Sequence, residues 1–331
     1  VSTEDALRDP GLAIVTRGLG KRYGSRVALE GLDLDVPRGR IYGFLGPNGS
    51  GKTTTLRILV GLIRPDTGSI SVLGAPYDWR DRRRMFRIGS MIETPAFYPY
   101  LSGRENLAVI AAAGPPTPRR RVDEVLDAVG LHGRAADKVK GYSLGMRQRL
   151  GIAVALLSDP ELLLLDEPAN GLDPAGIVAM RELLRSLTAA GKTVLVSSHI
   201  LSEIEVLADV VGIIAHGRLV RQGPIQQILA EGSRIRVRVE PAERDRAIAL
   251  LAGLAPVDLP AIPGADPGLL SLRLAAGRSA EVTRILGDAG IWLQGLTTES
   301  DLETVFLALT AEAPTGHDRS GWGMAPPGDH A

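Results

Sequence analysis

The chain contains no cysteine. Disulfides, thiolate nucleophiles and cysteine-ligated metals are therefore excluded, and the composition fits a reducing compartment. There is no excess of charge of either sign. Thirty-eight Lys and Arg stand against 38 Asp and Glu, for a formal net charge of zero. The balance points to neither nucleic acid nor a membrane surface as a partner. The longest apolar runs, such as AIALLAGLAPV, fall well short of the roughly 18 residues that argue for a membrane span. The opening VSTEDALRDPG is polar and acidic and does not read as a signal peptide. The expectation is a soluble chain that works at a membrane only through a partner. Histidines at metal-binding spacing, a Ser–His–Asp hydrolase pattern and a long heptad region are absent as well.

What is present suits a globular protein. The 331 residues are 44% hydrophobic and 23% charged, enough for one large domain and a smaller one. Strand-like and helical runs alternate as far as about residue 231, which argues for an α/β domain. LAIVTR, LDLDV, IYGFLG, ISVLG and RIGSMI read as strands, and GKTTTLRILVGL as a helix. The region from about Gly103 to Leu157 reads as mostly helical, interrupted by GPPTPRRR and VKGYSLG; PPTPRRR reads as a surface loop. ELLLLD, TVLVSS and ADVVGIIA are continuous apolar runs of the kind buried on both faces of a parallel sheet. Between the first two lies a helix that Asp173 can cap, Pro174 can start and Gly191 can close.

Near Ser233 the pattern changes. RIRVRVE alternates basic and apolar residues, as a strand with one exposed face does. The helix ERDRAIALLAGL, the strand LLSLRL, the helix SAEVTRILGDAG, the strand IWLQGLT and the helix DLETVFLALTAE follow. This predicts a small α+β domain over 232–312 after a large domain over 11–231. Residues 313–331, rich in Gly and Pro, read as a disordered tail.

GPNGSGKTTT, residues 46 to 55, fits the phosphate-cradling pattern G-x-x-x-x-G-K-[ST]. Glycine lets backbone N–H groups turn inward and approach phosphate oxygens without a side chain in the way. The loop runs into a helix N-terminus, which is partly positive. Gly46, Pro47, Asn48, Gly49, Ser50, Gly51, Lys52, Thr53 and Thr54 are thus the candidate phosphate-binding residues. Lys52 supplies a point charge for the β- and γ-phosphates, and Thr53 a hydroxyl for Mg²⁺.

ELLLLDEPANGLDP, residues 161 to 174, is a strand ending in two carboxylates. Asp166 is placed to hold Mg²⁺ through water. Glu167 is the candidate to polarise an attacking water, since phosphoryl transfer leaves little other than positioning and charge for the protein to supply. Taken alone, the stretch also fits a plain strand end.

With GYSLGMRQRL, residues 141 to 150, the sequence resembles the nucleotide-binding subunits of ABC transporters. Their signature LSGGQ corresponds to YSLGM; Ser143 and Gly145 match it, whereas Tyr142, Leu144 and Met146 depart from it. The resemblance runs over about residues 11–231 and implies a phosphate-loop ABC-type α/β fold with a helical subdomain over about 94–158. It implies ATP and Mg²⁺ as cofactors. It also implies that two copies sandwich ATP head to tail, with Ser143 and Gly145 closing on the partner's γ-phosphate. His199, in VLVSSHIL, matches the histidine that contacts that phosphate. Asp173, in NGLD, matches the loop crossing the dimer interface and can serve as a helix cap too. Tyr23 matches the aromatic on which adenine stacks.

Glu93 stands where the family usually has a glutamine that touches Mg²⁺ or the attacking water. A glutamate there, with the flanking PAFYPYLSGRENL, resembles the bacitracin and lantibiotic self-protection exporters. The C-terminal ESDLETVFLALT resembles the accessory domain of drug-exporter ATPases. The resemblance therefore implies the ATPase subunit of a bacterial exporter, bound at the cytoplasmic face to a separately encoded permease, with no nucleic-acid partner. A soluble ABC protein acting on ribosomes or DNA is the rival, disfavoured by a single phosphate loop and a single signature. A kinase is disfavoured by the signature and Tyr23, and an importer by the accessory domain. RDRRRMFR, residues 80 to 87, reads as a solvated basic face, with an anionic lipid or acidic partner as the alternative.

Overall fold

A computed structural model describes residues 7, 9–78, 81, 85–93, 96–258, 266–299 and 302–311. Arg80 and residues 82–84 of the basic run, and all of 313–331, lie outside the described residues.

Strands β1 (Leu12–Tyr23) and β2 (Arg26–Pro37) form an antiparallel hairpin. Gly24 makes its tight turn with φ of 59°, a left-handed value that glycine reaches at no steric cost. β3 (Ile41–Leu45) enters a second sheet, and helix α1 (Lys52–Leu59) follows its loop. β4 (Thr67–Val72) and β5 (Ala75–Pro76) complete the first sheet, in the order β2-β1-β4-β5. β6 (Ile88–Met91) opens the segment that leads to α2 (Gly103–Ala113), α3 (Arg119–Ala128) and α4 (Leu144–Leu156). Ser102 and Glu105 form a reciprocal capping box at the start of α2, satisfying two N–H groups that the helix cannot pair itself. PPTPRRR is not all loop: Arg119–Arg121 form the first turn of α3 behind Pro118. Arg121 reaches the Leu156 carbonyl at 2.8 Å, a tertiary bond that local composition does not signal.

β7 (Leu162–Asp166), α5 (Pro174–Ala189), β8 (Thr193–Ser198), α6 (Leu201–Leu207), β9 (Val210–Ala215), β10 (Arg218–Pro224) and α7 (Ile225–Glu231) finish the large domain. The second sheet has six strands in the order β10-β9-β3-β8-β7-β6. All neighbours are parallel except the edge strand β10. The strands alternate their faces. Tyr42, Phe44, Leu162, Leu164 and Leu195 pack toward the first sheet and α1. Ile41, Leu45, Leu163, Leu165, Val194 and Val196 pack toward the helices. Burial on both faces explains the uninterrupted apolar runs in β3, β7 and β8.

Residues 234–299 have their own core. β11 (Arg234–Arg238), α8 (Arg244–Leu251), β12 (Val257–Asp258), β13 (Leu269–Leu272), α9 (Ser279–Asp288) and β14 (Gly295–Glu299) build an antiparallel sheet, β12-β13-β11-β14, backed by helices. Ile235, Val237, Leu251, Leu270, Val282 and Leu286 fill its interior. The strand expected over IWLQGLT begins only at Gly295, which stands opposite Arg238, the last residue of β11. The final helix, α10 (Leu302–Ala311), returns to the large domain: Leu302 and Val305 join its core.

Candidate functional site

Register places the site. Leu45, the last residue of β3, pairs with Ser198, and Asp166, the last of β7, pairs with Ser197. The phosphate loop, the two carboxylates and His199 therefore emerge side by side at the carboxyl ends of three adjacent parallel strands. Ligands bind in this crevice in open α/β sheets.

The loop needs its glycines. A Cβ on Gly46 would collide with Ser50 Oγ and the Ile214 carbonyl and lie 2.8 Å from Ile214 Cγ2. Gly49 and Gly51 have φ of 80° and 113°, in the region that favours glycine. Lys52 is buried and folds back on the loop, donating to the carbonyls of Gly46 at 2.7 Å and Pro47 at 3.2 Å. Burial pushes its ammonium pKa down; Glu167 and Asp166 oppose that shift. Ser50 Oγ is buried without a hydrogen-bond partner, an unmet polar atom that phosphate oxygens suit. Asn48, Gly49, Lys52, Thr53, Thr54 and Glu167 line a cavity of about 120 Å³.

Thr53 Oγ1 donates to Asp166 Oδ2 at 2.8 Å, and Ser197 Oγ donates to Asp166 Oδ1. A hydroxyl and a carboxylate in contact form a hard-oxygen set of the kind Mg²⁺ takes. Glu167 sits at φ of 47°, left-handed for a residue with a Cβ. Its N–H is tied to Ser197 Oγ at 3.0 Å. Its Oε2 stands 3.0 Å from His199 Nδ1 and accepts from Asn170 Nδ2 at 3.3 Å, while Oε1 lies 3.9 Å from Lys52 Nζ. One carboxylate thus links the loop lysine to the histidine of the next strand.

The other expected residues lie outside this cavity. Tyr23 is half exposed at the hairpin end, with Lys21 Nζ 5.7 Å from its ring centre. Glu93, at φ of 69°, forms an exposed ion pair with Arg57 of α1. Ser143 caps α4 by accepting from Met146 N at 3.3 Å. Asp173 caps α5 by accepting from Gly176 N at 2.9 Å. A Cβ on Gly145 would meet only Leu172, at 3.6 Å. Of the signature departures, Met146 points into the core while Leu144 is exposed. Arg26 and Ala28 escaped the sequence reading. Ala28 lines the cavity, and Arg26 Nη2 lies 3.2 Å from where a Gly49 Cβ would be. Neither sits in a local pattern that signals it; the β1–β2 hairpin delivers both.

A family profile described as "ABC transporter" matches residues 29–170. The bacitracin transport ATP-binding protein BcrA of Bacillus licheniformis is 40% identical over 305 residues, 92% of this chain and 99% of that protein. The lantibiotic transport ATP-binding protein SrtF of Streptococcus pyogenes is 43% identical over 204 residues, 62% of this chain and 87% of its own. A solved dimeric ATP-binding cassette, in a post-hydrolysis state bound to ADP and Pi, superposes with a TM-score of 0.57 at 25% identity. It covers 64% of this chain and 98% of its own. No helix among the described residues is long and apolar enough to cross a membrane.

Proposed function

This chain belongs to the ABC transporter family as an ATP-binding subunit, and from that premise we propose how its residues divide the work and what the work drives. Two copies meet head to tail. Each ATP lies between Lys52, Thr53, Asp166, Glu167 and His199 of one chain and Ser143 and Gly145 of the other. The observation that carries this reading is Glu167 held between Lys52 and His199 at the mouth of the phosphate cavity.

Lys52 exchanges the loop carbonyls for the β- and γ-phosphates. N–H groups of the loop and of the start of α1 serve the same oxygens. Glu167 polarises the attacking water and takes its proton as the water oxygen bonds to the γ-phosphorus and the bond to ADP breaks. His199 holds the Glu167 carboxylate and contacts the γ-phosphate. Tyr23 stacks on adenine, and Asp173 stands at the dimer seam. Thr53 and Asp166 would hold Mg²⁺, which would supply positive charge against the phosphates. Glu93 joins them only by leaving Arg57.

Closure on ATP does mechanical work on a separately encoded permease, and hydrolysis resets the pair. The permease carries an antibiotic or peptide of the bacitracin or lantibiotic kind outward, with this subunit at the cytoplasmic face. The names of the similar transport proteins support that cargo class, as does Glu93 at its position. Mixed dimers test the shared site. Lys52→Ala and Ser143→Ala chains are each expected to be inactive alone. Mixing them restores hydrolysis, because one of the two sites then has both an intact loop and an intact signature. No recovery on mixing contradicts the head-to-tail arrangement.

A further inference from the structure

The seven-residue helix α6 begins two residues after His199. A helix this short does not hold itself together in water, and no side chain caps its N-terminus. Its position is set by what it touches. Ile204 fills the space that Gly43 leaves on the central strand β3, where a Cβ would collide with Ile204 Cγ2. Glu203 lines a cavity of about 20 Å³, the room of a single water, together with Glu167, Arg181 and His199.

The other side of α6 meets the last helix. Glu205 Oε2 accepts from the backbone N–H of Leu302 at 3.3 Å, closing one of the free N–H groups at the start of α10. Leu302 and Val305 are 0% and 6% exposed and share one core with Ile204, Ala208, Ile225 and Ile228. Gly232 is the seat of Val305: any Cβ there would strike Val305 Cγ2. The chain builds a whole second domain over 234–299 and then comes back to make these contacts.

We infer that α10 is a clasp that holds α6, and through it His199, in register with Glu167. Leu302 and Val305 are positioning residues for ATP hydrolysis, and Glu205 is the polar stitch between the two helices. This inference rests on the proposed role of His199. The accessory domain, fixed between α7 and α10, thereby gains a mechanical route to the reacting phosphate that needs no contact with nucleotide.

The full chain with Val305→Ala tests it, beside Glu205→Met, which keeps a side chain of similar length and removes the acceptor of the Leu302 N–H. Misplacing a catalytic group by about 1 Å can cost on the order of 100-fold. Val305→Ala is expected to lower kcat by about 10- to 100-fold with KM for ATP unchanged. Glu205→Met lowers it less, in the same pattern. In a His199→Ala background Val305→Ala costs nothing further, since the two act as one unit. An unchanged kcat in either single variant, or the full Val305→Ala penalty persisting without His199, overturns the clasp. Wild-type kcat in His199→Ala alone overturns the reading of His199 instead, so the two failures are distinguishable.

Discussion

Glu167 Oε2 stands 3.0 Å from His199 Nδ1, joining the ends of β7 and β8 across a carboxylate held in a left-handed backbone. The residues are 32 positions apart in sequence and neighbours only because Asp166 pairs with Ser197 in the sheet. Such strain at a site is retained where the surroundings fix it, and here Ser197 and Asn170 both do. Glu167→Gln keeps the hydrogen bonds and loses the base. Hydrolysis is expected to fall by about 10²- to 10⁴-fold, with ATP binding retained and dimers accumulating. Single-turnover hydrolysis with size-exclusion chromatography checks it; a wild-type rate contradicts the role.

Lys52 is buried against loop carbonyls with its pKa pushed down by desolvation. A lysine whose folded pKa lies below its unfolded value weighs against the folded state at neutral pH. That penalty is full below the folded pKa and fades as pH rises toward the unfolded value. Lys52→Met is therefore expected to leave the nucleotide-free Tm no lower than wild type at pH 7, with any gain shrinking toward pH about 10.4. Saturating ATP, which adds about 2.7 kcal/mol at a hundred times Kd, no longer raises its Tm. Thermal melts across pH, with and without ATP, decide both points.

Gly46 and Gly145 are both assigned to the proposed site, and of the two Gly46 is the one crowded within the chain. Gly46→Ala is expected to distort the phosphate loop and lower both stability and ATP affinity. Gly145→Ala has ordinary contact with Leu172 alone. It should melt with wild-type Tm, bind ATP and yet hydrolyse it poorly, because within its own chain the added methyl is uncrowded and the crowding falls on the partner's nucleotide. Equal effects of the two substitutions on Tm count against this assignment.

Glu93 and Arg57 form an exposed ion pair, and exposed pairs contribute about 0–1 kcal/mol. Glu93→Gln is thus expected to alter stability little and to retain ATP binding, while changing how strongly hydrolysis is coupled to the permease. Transport per ATP in membranes holding both subunits reports this. Unchanged coupled transport removes Glu93 from the mechanism.

The fold was legible where burial was symmetric. IYGFL and LLLLD are apolar throughout because both faces of β3 and β7 are covered, and the glycines of the loop announce their own geometry. The edge strand β10, RLVRQGP, has no such signal, since it is only partly buried. The helices α6 and α7, at seven residues each, are too short for helical periodicity to show. DLETVFLALTAE reads as a helix, and Leu302–Ala311 form one, yet periodicity gives no partner, and its core lies with α6 rather than with its own domain. The Glu93–Arg57 pair is likewise a tertiary event between residues with no shared local pattern.

The most direct test of the account is an affinity pull-down of tagged Glu167→Gln chain from detergent-solubilised membranes of its own host, with Mg-ATP present. A polytopic membrane protein recovered in stoichiometric amount is the predicted result and identifies the permease that selects the cargo. Ribosomal proteins or nucleic acid, with no permease, would contradict the transporter assignment while leaving the ATP-driven motor intact.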